Sequence, residues 1–292
     1  MSLFQRKPGS LVKFSCWVLF ATVFFLIIGL SPIPSHSGPV IEVFAGSVSM
    51  MVLEEAVSSF EKSTGSRVDM IFSGSGSALA QMRLARHGDL YIPASQQFMD
   101  IALEKGVVDR SSVVRLAYLV PAIGVAAGNP KGIHGLDDLL RSDVRFVMAR
   151  PDTVSIGLFA AEIFDKNGLG KEARSRVSGF TESFAQEVQL LILGTADAII
   201  GWSVLGNWDP DKLEVIPIQP SSVPRIAYIS GAVSVYSKNP VLARGFLNYL
   251  AGEKGKAIFE SHGYPTDVND IRHMVTPAVT VGGRYELLDR WR

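Results

Sequence analysis

The stretch that most constrains the fold is Ile71-Phe72-Ser73-Gly74-Ser75-Gly76-Ser77-Ala78-Leu79-Ala80-Gln81-Met82, an apolar β-type pair running through a Ser/Gly turn into a helical pattern. Its glycines permit φ > 0, no bulky side chain bars the loop, and its hydroxyls can cap a helix whose first amides lack intrahelical partners. Such a turn attracts anions, because free N–H groups and the positive end of the helix dipole, roughly half a charge, point outward from it. Turns of this composition also serve as plain connections. A second one strengthens the anion reading: Phe44-Ala45-Gly46-Ser47-Val48-Ser49 follows Val40-Ile41-x-Val43 and precedes a helical pattern from Met51 to Phe60. Two such turns in one α/β unit bring Ser47 and Ser75 to the same end of a parallel sheet, where ligands of open α/β folds bind.

The 292 residues are 47% hydrophobic and carry 28 basic and 28 acidic side chains, which describes a globular protein of one or two domains with no nucleic-acid partner. Residues 1–37 differ in kind. Arg6, Lys7 and Lys13 precede an apolar run from Trp17 to Leu30, followed by Pro32, Pro34 and Ser35-His36-Ser37. This predicts a secretory signal peptide cut near Gly38, since an apolar run of 14 residues falls short of the roughly 20 that span a bilayer. Cys16, the only cysteine, precedes that run and so cannot be the lipid-bearing residue of a lipoprotein. The 292 − 37 = 255 residues that follow then form no disulfide and no thiolate metal site, and rely on a hydrophobic core.

Further along, Gly88 to Ala94 reads as a short buried strand and Gln97 to Lys105 as a helix ended by Gly106. The chain then repeats itself at an offset of 110: Arg115-x-Ala117-Tyr118 with Ala122, Val125 and Asn129-Pro130 matches Arg225-x-Ala227-Tyr228 with Ala232, Val235 and Asn239-Pro240. Two strands of one template suggest passages between lobes in opposite directions, a hinge at Tyr118 and Tyr228. Residues 38–118 and 231–292 then form lobe 1, and 119–230 lobe 2. Lobe 2 alternates strand and helix: Val144 to Met148, the turn Arg150 to Gly157, the helix Leu158 to Lys166 stopped by Asn167-Gly168, the capping pattern Ser183-x-x-Gln186, and the strand Ala198 to Trp202. The expected architecture is α/β, two lobes of mainly parallel sheet flanked by helices and joined by two crossover strands. Helices over Val241–Leu250 and Lys254–Ser261 precede a tail from Arg272 that wraps the surface.

Catalytic motifs are weak. Ser73-Gly74-Ser75-Gly76-Ser77 lacks the first glycine of a G-x-S-x-G nucleophile elbow, and His87, His134, His262 and His273 show no metal-ligand spacing. Gly252-Glu253-Lys254-Gly255-Lys256 fails the phosphate-loop spacing at position 250 and reads as a helix start. No cation site and no cofactor are expected.

Phe44 to Ser47, Phe72 to Met82, and Gly88 to Ser95 with Phe98-Met99-Asp100 resemble the periplasmic molybdate-binding proteins of ABC importers, and the likeness continues through Pro151–Gly157, Gly194–Trp202 and Ala257–Tyr264. The resemblance implies a type II periplasmic binding-protein fold that holds molybdate or tungstate with serine hydroxyls and helix N-terminal amides. Carried over, Ser47 and Ser75 are the hydroxyl donors, with Gly76 and Ser77 as alternatives to Ser75; Ile156 and Phe184 supply amides, and Trp202 stands where many members have tyrosine. It also implies a monomer working with separate permease and ATPase chains. A receptor for another oxyanion or a small organic anion, and an exported serine hydrolase using Ser75, are the alternative readings.

Overall fold

The structure, a computed structural model, describes residues 38–292; the signal peptide expected over 1–37 and Cys16 lie outside the described residues. From Val40 the chain runs β1 (Val40–Gly46), α1 (Met50–Thr64), β2 (Arg67–Ser73), α2 (Ser75–Ala85), β3 (Leu90–Ile92) and α3 (Gln96–Glu104). β1 lies between β2 and β3, parallel to both, with Val40 opposite Arg67 and Gly46 opposite Ser73. That register puts the turns after β1 and β2 side by side at one end of the sheet. Alternate side chains of β1 serve opposite faces, as a strand requires. Ile41, Val43 and Ala45 pack with Val52, Leu53 and Ala56 of α1, while Phe44 joins Ala78, Leu79 and Met82 of α2. Helices thus cover both faces, which is why these parallel strands are apolar almost throughout.

Next come β4 (Val114–Leu119), β5 (Pro121–Ala126), β6 (Phe146–Ala149), α4 (Ser155–Lys166), α5 (Gly170–Arg176), β7 (Gly179–Thr181), α6 (Phe184–Ile192), β8 (Ala198–Trp202) and β9 (Leu213–Pro217). The chain ends with β10 (Arg225–Val233), α7 (Pro240–Ala251), α8 (Glu253–Ser261) and β11 (Thr280–Val281). The first sheet has the order β11-β10-β3-β1-β2, with β4 also paired to β10; the second has the order β7-β6-β8-β5-β9. Only the β2-β1-β3 and β7-β6-β8 blocks and the β10-β11 pair are parallel, because the strands next to the crossings, β10, β4, β5 and β9, run antiparallel to their other partners.

The 110-residue repeat is a pair of facing strands. β4 and β10 are antiparallel partners with Tyr118 opposite Tyr228, their rings 6.4 Å apart and steeply inclined. Arg115 donates to the Tyr118 hydroxyl at 2.9 Å and lies 4.1 Å above the Tyr228 ring, a cation–π contact. The chain changes sheet at Val120, between β4 and β5, and again between Pro217 and Arg225. The lobe boundary drawn between 230 and 231 therefore runs through β10, whose pairing with β4 extends from Ala227 to Gly231 apart from a bulge after Ile229.

The tail does more than wrap the surface. β11 adds to β10, Gly283 N–H donates to Gln96 of α3 at 3.0 Å, and Tyr285 exchanges hydrogen bonds with Gln97 of α3. A few residues later the tail reaches α4 of the second sheet. Asp165 accepts from the Tyr285 hydroxyl, from Arg290 at 2.9 Å and from the Trp291 indole at 2.9 Å, and Trp291 stacks against Phe164. One strap thus ties a helix of each sheet. Asp165→Ala removes one charged acceptor from three donors and should lower the unfolding free energy by about 2–3 kcal/mol, read from the urea midpoint.

Candidate functional site

Three strand-to-helix turns facing the gap between the sheets end in a helix without a side-chain cap. Gly46 precedes a 3-10 turn that leads into α1, Gly74 precedes α2 and Val154 precedes α4, and none of the three caps its helix. Their first amides consequently have no intrahelical acceptor and no cap. The N-terminus of α6 joins them, its Ser183 cap accepting only from Gln186 N–H, at 3.2 Å. These four N-termini, two from each sheet, meet at a cavity lined by Ser47, Ser75, Ser155, Ile156, Phe184 and Trp202 together with Gly46, Val48, Ser73, Gly74, Ala94 and Val154. The lining contains no charged side chain. The space open to the centre of a water-sized sphere is ≈ 10 Å³, far below the roughly 300 Å³ at which sites for drug-sized ligands begin.

The hydroxyls are set as donors. Ser47 Oγ accepts the Ala185 amide at 3.2 Å, and Ser75 Oγ accepts the Ala94 amide at 3.1 Å and the Ser155 hydroxyl at 3.0 Å. An oxygen that already accepts from an N–H keeps its own O–H to give. Ser47 is 4% exposed and Ser75 1%, so water competes little for those protons. Trp202 is buried edge-on against Phe159, 5.1 Å between ring centroids, and Phe184 against Trp208 at the same distance. Both aromatics wall the cavity from the apolar side.

Of the residues expected from the sequence, Ser47, Ser75, Ile156, Phe184 and Trp202 come together here. Gly76 and Ser77 do not line the cavity, and the Gly76 amide is already used, donating to the Thr153 carbonyl of the opposite sheet at 2.7 Å. Sequence reading missed Ser155 and Ser95, which bond to each other at 3.0 Å. The signal for Ser155 was present: Val154-Ser155-Ile156-Gly157 opens a helix after a strand, as Ser47 and Ser75 do. Tyr118 and Tyr228 lie outside the cavity.

Two glycines keep the sheets close. A Cβ on Gly74 would come within 2.8 Å of the Glu182 and Thr153 carbonyl oxygens across the gap, and one on Gly76 within 2.9 Å of the Thr153 Cα. These contacts are backbone and cannot swing aside.

A family model for bacterial extracellular solute-binding proteins matches residues 41–265. The chain belongs to that family. Among curated relatives of this solute-binding protein is the molybdate-binding protein of Mycobacterium tuberculosis, 26% identical over 247 residues that cover 80% of this chain and 89% of the relative. Among solved structures, the periplasmic molybdate-binding protein of Azotobacter vinelandii superposes with a TM-score of 0.67 at 17% identity, covering 78% of this chain and 99% of that one. The sulfate-binding protein of Mycobacterium tuberculosis superposes with a TM-score of 0.66 at 16% identity, covering 83% and 94%. At these identities the structures speak for the fold, the two-lobed type II periplasmic binding-protein architecture. The strap lies past residue 265, where the family match ends.

One group near the site has no part in it. Glu187, one turn into α6, is wholly buried and neither carboxyl oxygen has a hydrogen-bond partner. Burial raises its pKa well above the carboxylate range. A raised folded-state pKa gives stability that is full below the unfolded value, about 4.3, and is lost as pH rises toward the folded value. Glu187→Gln, which cannot ionise, should therefore match the parent near pH 4 and exceed it increasingly as the pH is raised, in urea unfolding series. Gly74→Ala should prop the sheets apart, seen as a larger radius of gyration by small-angle scattering with the unfolding midpoint little changed.

Proposed function

We propose that this chain captures a tetrahedral oxyanion, molybdate or tungstate, between its two sheets and delivers it to the permease and ATPase subunits of an ABC importer. The single observation that carries this reading is the meeting of four helix N-termini at one small cavity without a charged side chain. Moving a dianion out of water costs much hydration energy, which many short donors must replace. Free amides of α2, α4 and α6 with the Ser47 and Ser75 hydroxyls offer those donors from both lobes, and charge-assisted bonds contribute roughly 1.5–3 kcal/mol each. Nanomolar capture needs about 12 kcal/mol net, within reach of five to seven of them.

Selectivity follows from the same lining. An anion bearing an O–H would set a donor against donors, which penalises hydrogen phosphate. Molybdate and tungstate, nearly equal in size, would bind alike, and sulfate would be distinguished by its smaller radius. The Trp202 indole suits the role, being a donor with no acceptor. Binding closes the lobes about the strands that carry Tyr118 and Tyr228, presenting a shape that membrane subunits can recognise. The protein acts as a monomer without a cofactor, exported by residues 1–37 as a cleaved signal and not as a lipoprotein.

The relatives named for molybdate support this choice of ligand, and the sulfate-binding neighbour is the reason sulfate belongs in the test. A hydrolase reading of Ser75 lacks its base: no histidine lines the cavity, His87 pairs with Glu42 at 2.7 Å and His262 with Glu55 at 2.7 Å. Calorimetric titration with molybdate, tungstate, sulfate and phosphate should give submicromolar binding of the first two, weakened about tenfold or more by Ser47→Ala and by Ser75→Ala. Absence of heat with all four would defeat the oxyanion assignment and turn the search to organic anions.

A further inference from the structure

Three buried hydroxyls form a line that crosses from one sheet to the other at the edge of the cavity. Ser95, at the start of α3, is fully buried and lies 3.0 Å from Ser155, the first residue of α4; Ser155 in turn donates to Ser75 at 3.0 Å. Ser75 also accepts the Ala94 amide, at 3.1 Å. A serine oxygen has two lone pairs and one O–H. Both lone pairs of Ser75 are therefore taken, and its proton has no acceptor among the hydrogen bonds of the site. The direction left for that proton is the cavity, which Ser75 lines.

We propose that Ser155 is a positioning residue for selectivity. By donating to Ser75 it makes Ser75 a donor only, so the site accepts fully deprotonated oxyanions and rejects those that carry an O–H. The proposal rests on the oxyanion reading and adds to it the residue that enforces the donor-only character. Having given its proton to Ser75, Ser155 accepts from Ser95, so the line runs Ser95 to Ser155 to Ser75 to ligand, each bond polarising the next. Because Ser155 comes from the second sheet and the other two from the first, the order is imposed only when the lobes are together. The N-cap position of α4 is Val154, which has no side-chain acceptor, so the first amides of α4 stay uncapped beside Ser155 and free for the same ligand. Without the Ser155 hydroxyl, Ser75 regains a lone pair and can rotate to accept from an O–H.

Sulfate and hydrogen phosphate are similar dianions at pH 8 that differ by one O–H, and their competition against bound molybdate measures this property directly. The parent should favour sulfate over hydrogen phosphate by about a hundredfold, and Ser155→Ala should lower that ratio roughly tenfold through gained phosphate affinity, not only lost sulfate affinity. Ser155→Thr, which keeps the hydroxyl, should hold the parental ratio, and so should Ser95→Ala, after which Ser155 can still donate to Ser75. Equal weakening of both anions by Ser155→Ala would overturn the proposal, as would a ratio lowered as far by Ser95→Ala. A parent chain that binds no oxyanion would overturn the oxyanion reading itself and take this inference with it, so the two failures are told apart by the first titration.

Discussion

Four helix N-termini directed at one cavity that no charged side chain lines are the constraint on which the rest of this structure depends. Backbone dipoles arranged this way repel one another until an anion sits among them. The fold tolerates the arrangement because each helix is anchored by an apolar face remote from the gap: α1 and α2 on opposite faces of the first sheet, and α4 and α6 on the second, where Phe159, Phe164 and Val188 are buried. The core supplies the energy that keeps the amides in place. On the proposed function, an oxyanion would meet donors that need little reorganisation.

Closure is a matter of fine contacts between the lobes. The Gly76 amide on the Thr153 carbonyl, the Ala185 amide on Ser47 and the Ser155 hydroxyl on Ser75 all cross the gap, and Gly74 sits where a methyl group could not. Ser47, Ser75, Ser155 and Gly74 among them also line the cavity. The contacts that hold the lobes together and the residues that line the cavity thus lie side by side, so that on the proposed function ligand capture and closure would be one event. The strap from β11 to Trp291 adds a second tie between the same lobes, remote from the ligand and beyond the part of the chain that matches the family.

The crossing between the sheets shows the same economy of residues. Tyr118 and Tyr228, found from a repeat in the sequence, face each other because β4 and β10 pair antiparallel in one sheet, and Arg115 is held against both rings. The strands that leave and re-enter the first sheet are therefore fastened together beside the crossing, which leaves Val120 and the segment from Pro217 to Arg225 as the links between the sheets.

What the sequence determined by itself was local. Apolar strand, Ser/Gly turn and helix could be read at Ser47 and Ser75, and less clearly at Ser155, because turn chemistry and hydrophobic period are properties of neighbouring residues. It also led to Ile156, Phe184 and Trp202 through family resemblance, and all three line the cavity. What only the tertiary structure decided was which donors remain free. Gly76 looks as available as Ser75 in the sequence, yet its amide is consumed by Thr153, some eighty residues away, while Ser75 has its lone pairs filled by Ala94 and Ser155. The tail beyond Arg272 carries too little periodicity to announce a partner, and its role as a strap rests on Asp165, more than a hundred residues earlier. Hydrogen bonds between distant segments obey no period, so the sequence names the donors and the fold chooses among them.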